Sequence, residues 1–206
     1  MNEELLWYAE VHTTPESPIL AKLNRETHMS QVYPRMLAGH VQGTFLKVIS
    51  QMIRPSRVLE IGTFTGYSAI CFAEGAEKVH SIEVDPELEE MIRKYLKEAG
   101  VEERVVLHIG DALEIIPTLE EQWDLVYIDA DKPNYLHYYQ LVFDRVRPGG
   151  FILADNTLWG GKVLEKNPRN KDVIGIREFN DFVQQDERVE NLLLPLRDGI
   201  MLVRKK

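Results

Sequence analysis

The run VLEIGTFTGYS, residues 58–68, begins as an apolar strand and turns through Gly62 and Gly66 into a second apolar stretch. A strand that passes through glycines into a helix presents backbone to whatever binds there, because glycine has no Cβ and accepts left-handed conformations. The glycines fall as GxxxG, and Phe64 stands where the GxGxxG loop of pyrophosphate binders carries another glycine. The unit is therefore a nucleoside-type strand, loop and helix without the dinucleotide fingerprint.

Working outward, the pattern repeats. Further strands are expected at VHSIEV from Val79, VVLHIG from Val105, LVYID from Leu125 and FILAD from Phe151. Between them, apolar residues recur at helical spacing in 86–99 (Leu88, Met91, Ile92, Tyr95, Leu96) and in 133–146 (Leu136, Tyr139, Leu141, Val142). Alternation of this kind predicts a parallel sheet with helices on both faces. Two last runs, VENLLLPL and IMLVRK, have only Arg197, Asp198 and Gly199 at their junction. That is too short for a helical crossover, so they are expected to pair as an antiparallel hairpin. The fold class is α/β, Rossmann-like, with seven mainly parallel strands and a reversed C-terminal pair.

Upstream, Pro34 to Ile53 reads as one long helix with Leu37, Val41, Phe45, Val48, Ile49 and Met52 as its apolar stripe. One or two shorter helices precede it, interrupted by Pro15 and Pro18. With no repeat or linker, the 206 residues are expected to form one domain, 1–55 as N-terminal helices and 56–206 as the core.

Composition excludes several classes. No apolar run is long enough to cross a bilayer, so no membrane partner is expected. The acidic start MNEELLWYAEVHTT lacks the basic and apolar segments of a secretory signal, which points to the cytoplasm. The single cysteine, Cys71, lies in the apolar run SAICFA and reads as a buried structural thiol. A net charge of −9 opposes sequence-independent nucleic-acid binding, although it allows one local basic patch.

Acids close the strands. Glu83 ends the second strand 21 residues after Gly62, near the ~20 expected of an acid that hydrogen-bonds ribose. Asp111 closes the third strand in HIGDA, where an adenine amino group could be read, and Glu60 precedes the glycine loop. Each has a plain alternative: Gly66 as a helix start, Glu83 as a solvated strand end, Asp111 as an N-cap. Their joint placement at the C-terminal ends of successive strands favours a ligand, since open α/β sheets bind at that edge. Carboxylates also suit a cationic sulfonium better than a pyrophosphate.

Two more strands end in Asp129 (YIDADKPNY) and in Asp155 with Asn156 (ILADNTLW). Three hard oxygens on neighbouring strand ends would leave a six-coordinate Mg²⁺ about three open positions, as a catalytic ion requires. The alternative is a turn at Asp155 and Asn156 with Asp129 as a helix cap. None of the six histidines has a metal-ligand spacing, so zinc is not expected. Lys132 leaves the same strand as Asp129 and is a candidate base, provided a neighbouring cation or burial lowers its proton affinity. Its alternative is a surface cation paired with Asp131.

The runs VLEIGTFTGYS, IDADKPNY and LADNTLW resemble the catechol and caffeoyl-CoA O-methyltransferase family over nearly the whole chain, most specifically from about Met36 to Trp159. The resemblance implies a class I methyltransferase that binds S-adenosylmethionine through Glu60, Glu83 and Asp111. Gly62, Ser68 and Ala112 would line the cofactor, Met36 and Ala38 would close over it, and Asp129 would serve both cofactor and cation. It further implies a divalent cation, usually magnesium with manganese or calcium as alternatives, on Asp129, Asp155 and Asn156. Lys132 matches the general base. Similar proteins are often homodimers whose N-terminal helices shape the acceptor site, and residues before Met36 match least. Trp159 reads either as an aromatic wall for a planar acceptor or as a core anchor.

The expected acceptor is a small hydroxylated aromatic with two adjacent oxygens. A rival is the wobble 5-hydroxyuridine of tRNA, with Lys162, Lys166, Arg169 and Lys171 as phosphate contacts, set against a solvated loop balanced by Glu165 and Asp172. An NAD-dependent oxidoreductase shares the strand and helix pattern but lacks its glycine fingerprint. A non-catalytic S-adenosylmethionine sensor is opposed by the intact set Asp129, Lys132, Asp155 and Asn156.

Overall fold

The computed structural model describes residues 3–206, with side-chain surroundings from Glu4 onward. Seven strands form one sheet: β1 Arg57–Ile61, β2 Lys78–Glu83, β3 Val105–Ile109, β4 Trp123–Ile128, β5 Val146–Asp155, β6 Val189–Leu194 and β7 Ile200–Lys205, in the order β3-β2-β1-β4-β5-β7-β6. The helices are α1 Glu3–Val11, α2 Pro18–Ser30, α3 Gly39–Ile53, α4 Tyr67–Ala73, α5 Glu89–Glu98, α6 Ala112–Ile115, α7 Tyr135–Phe143 and α8 Lys171–Gln185. They flank both faces of the sheet. Among the described residues, no helix is long and apolar enough to cross a membrane.

The chain packs as two compact units, one holding the chain up to Ser56 with Thr63–Gly110, the other Arg57–Gly62 with Asp111–Lys206. In the first unit β2 and β3 run parallel, from Val79 opposite Val105 to Glu83 opposite Ile109. The long N-terminal helix is shorter than its sequence pattern implied. Residues Pro34–Met36 form a separate 3-10 turn, and α3 starts at Gly39, whose φ of +73° is open to glycine.

The expected stripe of α3 is also displaced. Val48 and Met52 stand exposed, and the buried face is Gln42, Gly43, Leu46 and Ser50. Close approach to α4 explains this choice. A Cβ at Gly43 would collide with the Tyr67 ring, one at Gly75 would strike the Ser50 backbone, and Ser50 Oγ donates to the Phe72 carbonyl at 2.7 Å. Small residues therefore occupy the contact, and larger apolar ones are left outside it. Cys71 on α4 is buried, as a structural thiol should be.

In the second unit β1, β4 and β5 run parallel, with Ile61 opposite Ile128 and Ile128 opposite Ala154. The reversed pair is present: β6 and β7 are antiparallel from Val189 opposite Lys205 to Leu194 opposite Ile200, and β7 also lies antiparallel to β5. Strand β5 begins at Val146, five residues before Phe151; Pro148, Gly149 and Gly150 disguise that start in the sequence. Helix α8 had no counterpart in the sequence reading. Asn170 caps it by accepting from the Asp172 and Val173 amides, and Val173, Ile176, Phe179 and Val183 form its buried face.

Candidate active site

The register of β4 and β5 sets the chemistry of the second unit. With Ile128 opposite Ala154, the next residues, Asp129 and Asp155, leave neighbouring parallel strands at the same end, about 4.8 Å apart in the pairing direction. The Asp129 amide donates to the Ile61 carbonyl at 2.9 Å. Gly62 has a specific reason to be glycine: a Cβ there would overlap the Asp129 carbonyl oxygen, and its φ is +98°. The close approach that the sequence assigned to a ligand is first an approach by the protein's own backbone.

Asp155 is 2% exposed. Its Oδ2 accepts from the Tyr127 hydroxyl at 3.1 Å and its Oδ1 from the Asn156 amide at 2.7 Å. Asn156 has φ +57°, a left-handed conformation that asparagine tolerates better than most residues, and the Trp159 amide closes the turn onto its carbonyl at 3.1 Å. The turn weighed as an alternative is therefore real, and it directs two hard-oxygen side chains from one strand end.

Lys132 is 7% exposed, which removes the reading of a surface cation. Its Nζ donates to Asp129 Oδ1 at 3.0 Å and to Tyr135 Oη at 2.7 Å, and lies 4.8 Å and 5.6 Å from the ring centres of Tyr135 and Trp159. Asp131 is engaged elsewhere, accepting from Asn134 Nδ2 at 2.6 Å and the Tyr138 hydroxyl at 2.5 Å. Trp159 is half-buried with φ +46° and faces the ammonium, so it is no core anchor. Burial, reinforced by the carboxylates of Asp155 and Asp129, pushes the Tyr127 and Tyr135 phenols well above their ordinary range. Both remain neutral hydroxyls beside the acids. Helix α8 backs this cluster: a Cβ at Gly175 would stand 2.6 Å from the Lys132 carbonyl, and Asn180 Nδ2 donates to the Thr157 carbonyl at 2.9 Å.

Glu60 lies wholly buried in β1, opposite Tyr127 in register. Asp111 is exposed and caps α6 by accepting from the Leu113 amide at 2.8 Å, so its plain alternative is observed; Ala112, the first residue of α6, is buried. Among the described residues no three His, Cys, Asp or Glu side chains cluster as a metal set. The donors that do converge in type are two carboxylates and one amide, all hard oxygens, with a buried ammonium already on one of them. That chemistry fits a hard divalent cation and not zinc.

In the first unit the glycine loop closes on Glu83. Its Oε2 accepts from the Phe64 amide at 2.7 Å and its Oε1 from the Asp85 amide at 2.9 Å, while its carbonyl receives the Gly110 amide at 2.8 Å. Phe64 holds φ +52°, a conformation costing roughly 1–3 kcal/mol that surrounding contacts must impose. Desolvation raises the Glu83 carboxyl above its usual range despite those two amides. Ser68 is buried on α4, Ala38 is buried just before α3, and Met36 is exposed on the 3-10 turn.

The sequence reading missed Tyr127 and Tyr135. Both were within reach of pattern: Tyr127 shares a strand face with Asp129 two residues on, and Tyr135 follows Lys132 by three, one 3-10 turn.

This sheet, with its reversed C-terminal pair, is the class I methyltransferase fold. The O-methyltransferase family model matches residues 10–206, and the chain belongs to that family. It is 37% identical over 209 residues to the mouse catechol O-methyltransferase domain-containing protein 1, covering 97% of this chain and 79% of the relative. It is 31% identical over 211 residues to caffeoyl-CoA O-methyltransferase 5 of Nicotiana tabacum, covering 95% and 88%. Among solved structures, the O-methyltransferase TomG of Streptomyces achromogenes, in complex with S-adenosylmethionine, superposes with a TM-score of 0.91 at 29% identity over 100% of both chains. The chain is thus an S-adenosylmethionine-dependent O-methyltransferase related to the catechol and caffeoyl-CoA enzymes.

Proposed function

We propose that the chain methylates one hydroxyl of an aromatic ring carrying two adjacent oxygens, with a divalent cation, magnesium first, held by Asp129, Asp155 and Asn156. One observation carries the reading: Lys132 is buried between Asp129 and Tyr135, on the loop leaving the strand next to that of Asp155. The names of the catechol and caffeoyl-CoA relatives support the acceptor class. When bound, the cation supplies positive charge that offsets the two carboxylates and acidifies a neighbouring hydroxyl.

The remaining work falls to the chain's own residues. Lys132 takes the acceptor's hydroxyl proton from a place within hydrogen-bond distance of Asp129 Oδ1 and Tyr135 Oη. The acceptor oxygen forms the new bond to the methyl carbon as the carbon–sulfur bond breaks, its electron pair leaving with sulfur. Trp159 offers a flat wall to the ring. Glu83 accepts ribose hydroxyls, Asp111 reads the adenine amino group, and Glu60, Gly62, Ser68 and Ala112, with Met36 and Ala38, complete the cofactor contacts. Positioning of reactants contributes on the order of 7–11 kcal/mol in well-oriented systems, enough to dominate such a displacement.

A second reading, methylation of a tRNA hydroxyuridine, draws on Lys162, Lys166, Arg169 and Lys171, all of which stand exposed in one segment. Labelled S-adenosylmethionine with Mg²⁺ and, separately, a catechol panel and undermethylated tRNA divides the two. Label on catechols that is insensitive to salt and lost in excess chelator is the expected result. Label on tRNA alone, with steep salt dependence, rejects the small-molecule acceptor, and full activity in chelator rejects the cation.

A further inference from the structure

The glycine loop closes on itself through one turn bond, from the Gly66 amide to the Thr63 carbonyl at 3.0 Å, and is otherwise held from outside. Phe64 and Gly66 both sit at positive φ, +52° and +95°, and α4 starts directly after them. Besides the Thr63 amide, which donates to the Ile82 carbonyl at 3.1 Å, four contacts made through side chains fix the segment. Thr63 Oγ1 meets Ser81 Oγ at 2.5 Å, and the Phe64 amide donates to Glu83. The other two reach the chain's N-terminal part: Thr65 Oγ1 pairs with Thr27 Oγ1 at 3.0 Å, and the Tyr67 hydroxyl donates to Glu16 Oε1 at 2.5 Å. Thr27 and Thr65 are both fully buried, so neither hydroxyl has water as a substitute partner.

Helix α2, which carries Thr27, is itself fixed on α5. Glu26 accepts from Tyr95 at 2.5 Å and from Lys94 at 2.8 Å, and Lys22 pairs with Glu98 at 2.6 Å. Asn24 Nδ2 also donates to Glu16 Oε1 at 3.3 Å, which holds that carboxylate beside Tyr67. The segment 16–30 is therefore a strut with one side on α5 and the other on the loop between Gly62 and Ser68.

We propose that Thr27 and Glu16 are positioning residues for cofactor binding: they clamp Thr65 and Tyr67 so that the Phe64–Gly66 backbone keeps its ligand-ready conformation. The N-terminal helices then govern cofactor affinity as well as covering the fold, although neither residue touches the cofactor. The inference rests on the proposed cofactor role of the glycine loop. Its chemistry is specific to the hydroxyl and the carboxylate oxygen. Valine matches threonine in shape but leaves Thr65 with an unpaired buried hydroxyl, whereas serine keeps the bond. Glutamine at 16 keeps an acceptor for Tyr67, whereas alanine does not.

The test is titration of S-adenosylhomocysteine by calorimetry, with the thermal midpoint of each apo protein measured in parallel. Thr27→Val and Glu16→Ala are expected to weaken binding about tenfold, the effect of one lost hydrogen bond of about 1.4 kcal/mol. Thr27→Ser and Glu16→Gln are expected to stay within about twofold of wild type, and kcat at saturating cofactor to change little in all four. A purely structural role moves the midpoint and leaves the affinity alone, and that result overturns the proposal. Glu16 is half-buried near the surface, so Glu16→Ala decides the matter even where Thr27→Val does not fold. Failure of the wild-type protein to bind S-adenosylhomocysteine overturns the cofactor reading instead, which keeps the two failures apart.

Discussion

Two regions of this chain present acids at strand ends, and they stabilise them by different means. In the glycine loop, Glu83 is satisfied by backbone: the amides of Phe64 and Asp85 point at its two oxygens. At the ends of β4 and β5 side chains enter: Asp129 accepts from the Lys132 ammonium, and Asp155 from the Tyr127 hydroxyl as well as from the Asn156 amide. A carboxylate held by amides has a fixed geometry before any ligand arrives, which suits recognition. A carboxylate held by a lysine and a phenol has partners that can move or change protonation, which suits proton transfer and exchange of one cation for another.

The largest expected effect breaks the side-chain region. Lys132→Ala should lower kcat by roughly 10²–10⁴-fold, the usual contribution of a positioned base, while S-adenosylhomocysteine affinity stays within about twofold. Equal turnover in that variant removes Lys132 from the mechanism. Gly62→Ala attacks the junction of β1 with the Asp129 loop, combining a left-handed alanine with overlap of the Asp129 carbonyl. A loss of roughly 2–4 kcal/mol in chemical denaturation is expected. A loss below about 0.5 kcal/mol, as for an ordinary surface change, contradicts that packing.

Tyr135→Phe removes the hydrogen bond from Lys132 to the phenol and leaves that to Asp129 in place. Turnover should fall about tenfold, the worth of one hydrogen bond to a charged group, with cofactor affinity unchanged. A parallel loss of affinity would mean that the phenol supports the fold rather than the lysine.

In the backbone-held region the expected signature is a pH slope. Because the Glu83 carboxyl titrates above its unfolded value, the native chain keeps that proton after the unfolded chain has lost it. Stability is therefore full below the unfolded value and declines as pH rises through the folded one. Glu83→Gln should flatten this decline, and superimposable pH profiles of the two proteins would refute the burial argument.

Asp186 offers the opposite sign. Hydrogen bonds from Arg188, with the Tyr139 hydroxyl, hold its carboxyl down to about 2. Its contribution is present above the unfolded value and lost as pH falls toward that number. Asp186→Asn should cost about 1 kcal/mol at neutral pH, the range of a partly solvated pair, and nothing in strong acid. A cost that persists in acid points to packing instead.

Much of this was legible from residues alone. Each of the seven strands falls on the run expected for it, β5 starting five residues earlier than its run, and the hairpin followed from a junction too short for a helix. Lys132, Asp129, Asp155 and Asn156 were visible because each sits just past a strand end or on the loop leaving it. Three things were hidden. Helix α3 buries Gln42, Gly43 and Ser50 rather than its largest apolar residues, a choice made by how closely α4 approaches. Helix α8 contains Gly175, which reads as a breaker until the Lys132 carbonyl is seen against it. Tyr127 and Tyr135 look like core aromatics, and only their hydroxyl partners set them apart.

The sequence by itself determined the succession of the seven strands, the helices with a clear apolar period and the chemical types at each strand end, because periodicity and local turn chemistry act over a few residues. Tertiary structure decided which groups became partners: Lys132 with Asp129 rather than Asp131, Glu83 with the Phe64 amide, Thr27 with Thr65. Such pairings depend on register and on how near two backbones can come. Those quantities are set by contacts between residues far apart in the chain, and no local pattern carries them.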